Sequence, residues 1–380
     1  MKILVVGHAY LSEINREKWS AYKKIFPNDC VSVVTPERWN DALFTVQTSS
    51  VDSCRNSGGY IHLPIKNSGN EVLHRYSWTD VWRVMNLVSP DILLVEQGDN
   101  SFAYFQWILV SLLQLRFIPR VFFTWVNWTH SWGWRYKAFW WPIEACISFF
   151  SNAAIVGNPE AQQLLRNKGF KEPILISPQL GVGIIDFQNT IEIEQKKRKR
   201  IGFVGRLTHE KGVHLLLRAF ADISSNFSDW EVCIVGNGPQ HENLAQLALE
   251  FNITKNVVFV GSVDHYRAIN FIKTFDILVL PSLDVPTWKE QFGHVLIEAM
   301  AAHIPVICSD AGAIAWVIGD AGLVFEQNSV EGLREALQKY MLHQDVREAY
   351  GERGFKRCCE LYSHEVIARN IGNFLHTLVQ

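Results

Sequence analysis

Residues 289–301 read KEQFGHVLIEAMA, with Glu290 and Glu298 eight apart around an aromatic, a glycine and an apolar run. Two carboxylates invite a glycosidase reading, which needs them within about 5–9.5 Å across one bond. On a continuous helix their Cα atoms would stand about 12 Å apart with about 80° of rotation. That spacing suits two contacts to one elongated ligand better than an acid–nucleophile pair. The pattern predicts a helix starting near Gly293, with Glu290 in the loop before it and Glu298 one to two turns in. Phe292, Gly293 and His294 then supply backbone N–H groups at a helix start, and Gly293 lets a ligand come close. Taken alone, Glu298 also reads as a solvated residue on an amphipathic helix whose core side is Leu296, Ile297 and Met300.

A second cluster lies at IGFVGRLTHEKGV, 201–213. Arg206 follows Gly205 at the end of a predicted strand, where ligands bind in open α/β sheets. Lys211 precedes a helix predicted from 212. Two cations beside a helix N-terminus suit a diphosphate; the plainer reading is two solvent-facing cations. VGNGP (235–239) follows another strand, but Pro239 and His241 break any GxGxxG pattern, so the dinucleotide fingerprint is absent there. In the first loop, VGHAYLSEINREKW, the polar candidates are His8, Asn15 and Arg16. In TWVNWTH they are Asn127 and His130.

Something must hold these residues in place. Short β-branched runs at 3–6, 31–34, 91–96, 120–126 and 153–157 read as buried parallel strands, with a helix over 160–170 and a last strand in PILISPQLG. A second series follows at 201–205, 231–236, 257–261, 276–281, 305–310 and 322–325, with helices over 212–223 and 242–251. Asn328 with Glu331 reads as a capping box for a helix over 329–341, and 363–379 reads as a closing helix. Strand–helix alternation implies doubly wound parallel sheets. The organisation expected is 1–187, a first Rossmann-like domain; 188–200, a polar linker with a basic run Lys196–Arg200; 201–360, a second such domain; and 361–380, a closing helix.

The 380 residues are 48% hydrophobic and 19% charged with net charge −2, which argues for a folded chain and against bulk nucleic-acid binding. Seven scattered cysteines without a framework fit a reducing compartment. The apolar run 102–115 falls short of the roughly 20 residues a membrane helix needs. MKILVV reads as a strand rather than a signal peptide, so a cytoplasmic location is expected. Seven of the 14 Trp fall between Trp107 and Trp141, and 101–150 holds one acid, Glu144, against Arg116, Arg120, Arg135 and Lys137. These aromatics read as core, as a platform on which a sugar ring could stack, or as a membrane-facing patch in 128–141. The basic run likewise reads as solvated or as lipid-directed.

Taken in order, GRLTHEKGV, VGNGP, VVFVGSV, LPSLDVPTWKEQFGHVLIEAMA and PVICSDAGAIAWVI resemble the second half of family-4 retaining glycosyltransferases, and EQFGHVLIE is similar to that family's E-x7-E motif. The resemblance is dense over 201–325 and thinner upstream. It implies a GT-B fold, two Rossmann-like domains facing a central cleft, with 1–187 on the acceptor side, 201–360 binding the nucleotide sugar and 361–380 packing back on the first domain, and transfer of a sugar from a nucleoside diphosphate sugar, UDP- or GDP-linked, to a carbohydrate or lipid-linked hydroxyl. It implies that Arg206 and Lys211 bind the diphosphate and stabilise the departing nucleotide, and that Glu298 holds the ribose. Glu290 would hold the donor sugar, with Phe292, Gly293 and His294 offering N–H groups, and Gly261 and Val263 would lie at the nucleobase. It implies retention by front-face attack, with neither metal nor separate cofactor. The chain departs from the family in its first loop, where only Gly7 remains of a Gly-Gly pair, and at Gly181–Gly183, GVG for GVD. Family members often bear a His after the fourth strand, and Asn127 or His130 would stand there. The expected activity is polysaccharide or glycolipid synthesis, with peripheral contact to the inner membrane face. The rival readings are a silent binding or scaffold homologue and a nucleotide-sugar epimerase.

Overall fold

The computed structural model describes residues 1–40, 45–47, 59–128, 134–188 and 198–379. The chain divides into two α/β units, Met1–Gly181 with His364–Gln380, and Val182–Ser363. The first is built on seven parallel strands: β1 (Lys2–Val6), β2 (Cys30–Pro36), β3 (Gly59–Leu63), β4 (Ile92–Val95), β5 (Arg120–Thr124), β6 (Ala153–Val156) and β7 (Ile174–Ile176). Their order is β7-β6-β5-β4-β1-β2-β3. The apolar runs are continuous because both faces of the sheet are covered. Leu4, Val6, Leu93 and Val95 enter one core, and Ile3, Val5, Ile92 and Leu94 the other, as alternation along a strand requires.

The second core also takes Ile367, Ala368, Ile371 and Leu375 of the last helix, His364–Thr377. This helix lies on Glu17–Ile25, with His364 Nε2 3.2 Å from Glu17 and His376 Nε2 2.9 Å from Asp29. Gly372 is required at the crossing, because a Cβ there would lie 2.2 Å from the Phe26 ring.

The second unit carries β8 (Lys199–Val204), β9 (Trp230–Val235), β10 (Val257–Gly261), β11 (Ile277–Leu280), β12 (Val306–Ser309) and β13 (Gly322–Phe325). Their order is β10-β9-β8-β11-β12-β13. Numbered within each unit, both sheets contain the run 3-2-1-4-5-6. In each, the order reverses beside the first strand, between β1 and β4 and between β8 and β11, and a doubly wound sheet binds ligands at the carboxyl side of that point.

Two sequence expectations change, and one strand was not foreseen. The segment 188–200 does not end as a free linker, because β8 begins at Lys199. Lys199 Nζ lies 3.3 Å from Asp229, and Arg200 Nε donates to Glu231 at 2.6 Å, so the end of the basic run is paired on the sheet; 189–197 lie outside the described residues. The late helix, Val330–Leu342, is capped by Ser329, whose Oγ accepts from Gly332 N at 3.0 Å, not by an Asn328–Glu331 box. Asn328 instead takes a left-handed φ of 64°. Strand β3, GYIHL, has too few β-branched residues to stand out and lies at the sheet edge.

Candidate active site

The carboxyl edge of the second sheet is drawn together by glycines. A Cβ on Gly236 would lie 1.9 Å from the Gly205 carbonyl oxygen, and one on Gly238 2.5 Å from that of Leu207. Gly236 N donates to Gly261 O at 2.9 Å, which ties the ends of β9 and β10. Gly261 has φ 82° with nothing within 4 Å of its Cβ position, so the backbone there faces open space. Val263 follows it, half-buried, before Asp264 caps the helix His265–Ile272.

From β8 the chain passes through Gly205 and exposed Arg206 into a 3-10 turn, His209–Lys211. Gly212, at φ 67°, ends the turn and opens the helix Val213–Ala221; a Cβ there would lie 1.9 Å from Pro281 O. This turn aims Lys211 at the loop after β11. Lys211 Nζ donates to Glu290 Oε2 at 2.7 Å, and Ser282 Oγ donates to the same oxygen at 2.8 Å. The ammonium also lies 4.8 Å from the Trp288 ring centre. Sequence reasoning missed both Ser282 and Trp288, although each stands within the motif-bearing segment.

The helix His294–Ala301 begins behind left-handed Gly293 (φ 73°), where a Cβ would lie 2.8 Å from Ile314. Thus Glu290 lies in the loop and Glu298 on the helix, and the two carboxylates meet different partners. Glu298 is 3.9 Å from His265 Nδ1. Burial pushes its carboxyl up to about 7. Burial, with His265 adding to it, pulls His294 down to about 4, so its imidazole is neutral near pH 7. Phe292 is buried against the His294 ring, 5.0 Å between centres. The loop is pinned from the other side: Ala313 N donates to Glu290 O at 2.9 Å and Gly312 N to Asp284 at 2.9 Å.

Two helix N-termini, an ammonium and a guanidinium therefore stand on the edge of the adjacent strands β8 and β11. Such an edge stabilises an anion that forms or departs there. Among the described residues no group of three or more His, Cys, Asp or Glu could hold a metal ion.

In the first unit His8 stacks on Trp39, 4.3 Å between centres, with Nε2 3.6 Å from Glu71. Buried His74, which sequence reasoning also missed, packs edge-on against both rings. Asn15 and Arg16 brace the loop by donating to Ala9 O and Tyr10 O at 2.7 and 2.8 Å. Beneath them Lys18, fully buried, donates to Glu96 at 2.7 Å and to Gln179 O at 2.7 Å. Asn127, in the loop after β5, donates to Glu160 at 2.9 Å; His130 lies outside the described residues. The aromatic segment divides: Trp107 and Trp140 are core, whereas Trp134 and Trp141 are exposed.

Two doubly wound parallel sheets of this order, the second carrying a cationic carboxyl edge, define a protein of the GT-B fold. Residues 185–357, a little under half of the chain, match the family model described as Glycosyl transferases group 1. Over 183 residues the chain is 28% identical to the capsular polysaccharide biosynthesis glycosyltransferase CapM of Staphylococcus aureus, covering 47% of this chain and 46% of that one. It is 29% identical over 191 residues to the putative teichuronic acid biosynthesis glycosyltransferase TuaC of Bacillus subtilis, covering 48% and 43%. The chain thus spans about half the length of the curated relatives it matches. Among solved structures, HepE of Anabaena in complex with UDP aligns at TM-score 0.72 and 15% identity over 100% of both chains. The sucrose-phosphate synthase of Thermosynechococcus elongatus aligns at 0.68 and 19% over 100% and 99%. At these identities the structures establish the fold alone.

Proposed function

We propose that the protein is a retaining, metal-independent glycosyltransferase that moves a sugar from a nucleoside diphosphate sugar to a hydroxyl of a carbohydrate or lipid-linked acceptor in polysaccharide or glycolipid synthesis. The observation that carries this reading is the Lys211–Glu290 pair at 2.7 Å on the switch-point edge, beside Arg206 and two helix N-termini. In this reading the donor diphosphate approaches Arg206, Lys211 and the N–H groups of Phe292, Gly293 and His294. As the bond from the anomeric carbon to phosphate oxygen lengthens, negative charge grows on the diphosphate. The two fixed cations stabilise that charge more than they stabilise the bound donor, which lowers the barrier. Glu290 holds a sugar hydroxyl and keeps Lys211 placed. Glu298, readily protonated near neutrality, meets the ribose hydroxyls, and Gly261 with Val263 leaves room for the base. His8 and Asn127 are the acceptor-side candidates of the first unit.

HepE was solved with UDP and with UDP-glucose, which makes uridine donors the first to try, with guanosine donors next. Incubating the protein with UDP- and GDP-sugars and no acceptor should release nucleoside diphosphate slowly, unaffected by EDTA. Catalytic silence across the panel would favour the scaffold reading, and an altered sugar still on its nucleotide would favour an epimerase. The anomeric configuration of a transferred sugar, read by NMR, decides retention.

A further inference from the structure

Past β11 the chain folds back on itself before it reaches Glu290. Val285 N donates to Trp288 O at 3.0 Å, and Trp288 N donates to Val285 O at 3.1 Å. Pro286 and Thr287, both exposed, form the tip; proline suits a turn because its φ is fixed beforehand. The stem of this small hairpin is braced from several directions. Leu283 N donates to Glu210 O at 2.7 Å, which ties it to the turn that carries Lys211. Asp284 N donates to Gln327 Oε1 at 2.8 Å, and Asp284 Oδ1 accepts from Gly312 N at 2.9 Å. Lys289 Nζ closes the base, 3.0 Å from Asp284.

A hairpin braced in this way holds its side chains in fixed directions. Trp288, half-buried, is turned to the candidate site, its ring centre 4.8 Å from Lys211 Nζ. The same ammonium donates to Glu290 at 2.7 Å. Lys211 therefore has two holders of different kinds. Glu290 holds it by charge, and so cancels part of the field that an arriving anion would feel. The indole holds it by the quadrupole of its ring and carries no net charge, so the ammonium keeps its attraction for phosphate. When a diphosphate draws Lys211 away from Glu290, the ring is the holder that remains. A lysine on a flexible four-carbon stem with neither holder spreads over several rotamers, and its charge is then averaged away from the place where it is needed.

We propose that Trp288 is a positioning residue: its ring keeps the Lys211 ammonium at the carboxyl edge of the second sheet when the lysine gives up Glu290 for a diphosphate. The inference deepens the sugar-transfer reading and rests on it for the class of ligand. Inorganic pyrophosphate carries that ligand chemistry without a sugar or a base, so the contact between ring and ammonium is testable apart from any turnover.

The test is calorimetric titration of the whole protein with inorganic pyrophosphate, for wild type, Trp288→Phe and Trp288→Leu, each also in a Lys211→Met background. Phe and Leu are both apolar and smaller than Trp, but only Phe offers a ring face, so a mere packing role would make the two variants alike. Trp288→Leu should weaken pyrophosphate binding about tenfold, and Trp288→Phe only about two- to threefold. In the Lys211→Met background either substitution should change the affinity less than about twofold, because a residue that acts through Lys211 has nothing left to act on. Wild type that does not bind pyrophosphate, or a Trp288→Leu protein that binds it as wild type does, overturns the proposal. So does equal weakening by Phe and Leu, or a loss of the same size with Lys211 absent. If the expected pattern is found while no sugar nucleotide is consumed, the sugar-transfer reading falls and the positioning of Lys211 by Trp288 stands.

Discussion

The two units place the same chemical pair at the same point of the same topology and treat it in opposite ways. In each, a lysine in the segment following the first strand meets a glutamate in the segment following the fourth, at 2.7 Å: Lys18 with Glu96, and Lys211 with Glu290. The first pair is sealed, its side chains 0% and 1% exposed; Tyr10 also bonds Glu96, and the Gln179 carbonyl accepts from Lys18. The second is less sealed, at 19% and 9%, with Ser282 and the Trp288 ring beside it. The switch point draws opposite charges in both units, and burial decides their work. A sealed pair fixes a loop, whereas one open to water can exchange its partner for a ligand.

The sharpest way to break this comparison is to remove each lysine in turn. Lys18→Met leaves Glu96 buried without its counter-charge, and should cost about 3–5 kcal/mol of stability in chemical denaturation. Lys211→Ala should cost less, about 1–2 kcal/mol, because Lys211 is part-exposed and Ser282 still donates to Glu290, yet lower turnover about 10²–10³-fold. If the two variants lose stability equally and Lys211→Ala keeps its turnover, the distinction between the pairs is wrong.

A smaller effect is expected where backbone holds the open pair. Gly312 has φ 47°, and a Cβ there would lie 2.1 Å from Glu290 O. Gly312→Ala should destabilise the second unit by about 1–3 kcal/mol and raise the donor KM, because Glu290 must shift. An unchanged KM would detach that loop from the site.

The smallest effect concerns pH. Glu298, raised to about 7, keeps its proton in the folded state where the unfolded chain has lost it. It therefore contributes stability that is present below the ordinary carboxylate pKa and lost as pH rises towards 7. His294, lowered to about 4, stays neutral while the unfolded chain is protonated, so its contribution grows as pH rises from about 4 to 6.5. The two slopes oppose each other up to pH 6.5. Melting curves of His294→Gln should then fall more steeply between pH 5 and 6.5 than those of wild type, and those of Glu298→Gln should rise.

Much of this was legible in the sequence. Continuous apolar runs mark strands buried on both faces, so Arg206 could be named for standing just past one, Lys211 for preceding a helix start, and Glu290 for its spacing from Glu298. What the sequence hides is pairing between segments far apart in the chain. Lys18 reads as one more charge in INREKW, and only the fold shows it buried on Glu96. His74 and Ser282 likewise gain meaning from neighbours that no local spacing announces. Strand β3 and the Ser329 cap were missed because edge strands and caps depend on one or two residues rather than on a period.

The most direct test is a thermal-shift and calorimetric panel of UDP, GDP, ADP, their monophosphates and free nucleosides, on wild type and on Arg206→Ala/Lys211→Ala. One diphosphate should raise the midpoint clearly and its nucleoside hardly at all, and the double variant should lose that gain. A diphosphate response that survives removal of both cations would contradict the account, because the diphosphate would then have to bind away from the carboxyl edge of the second sheet.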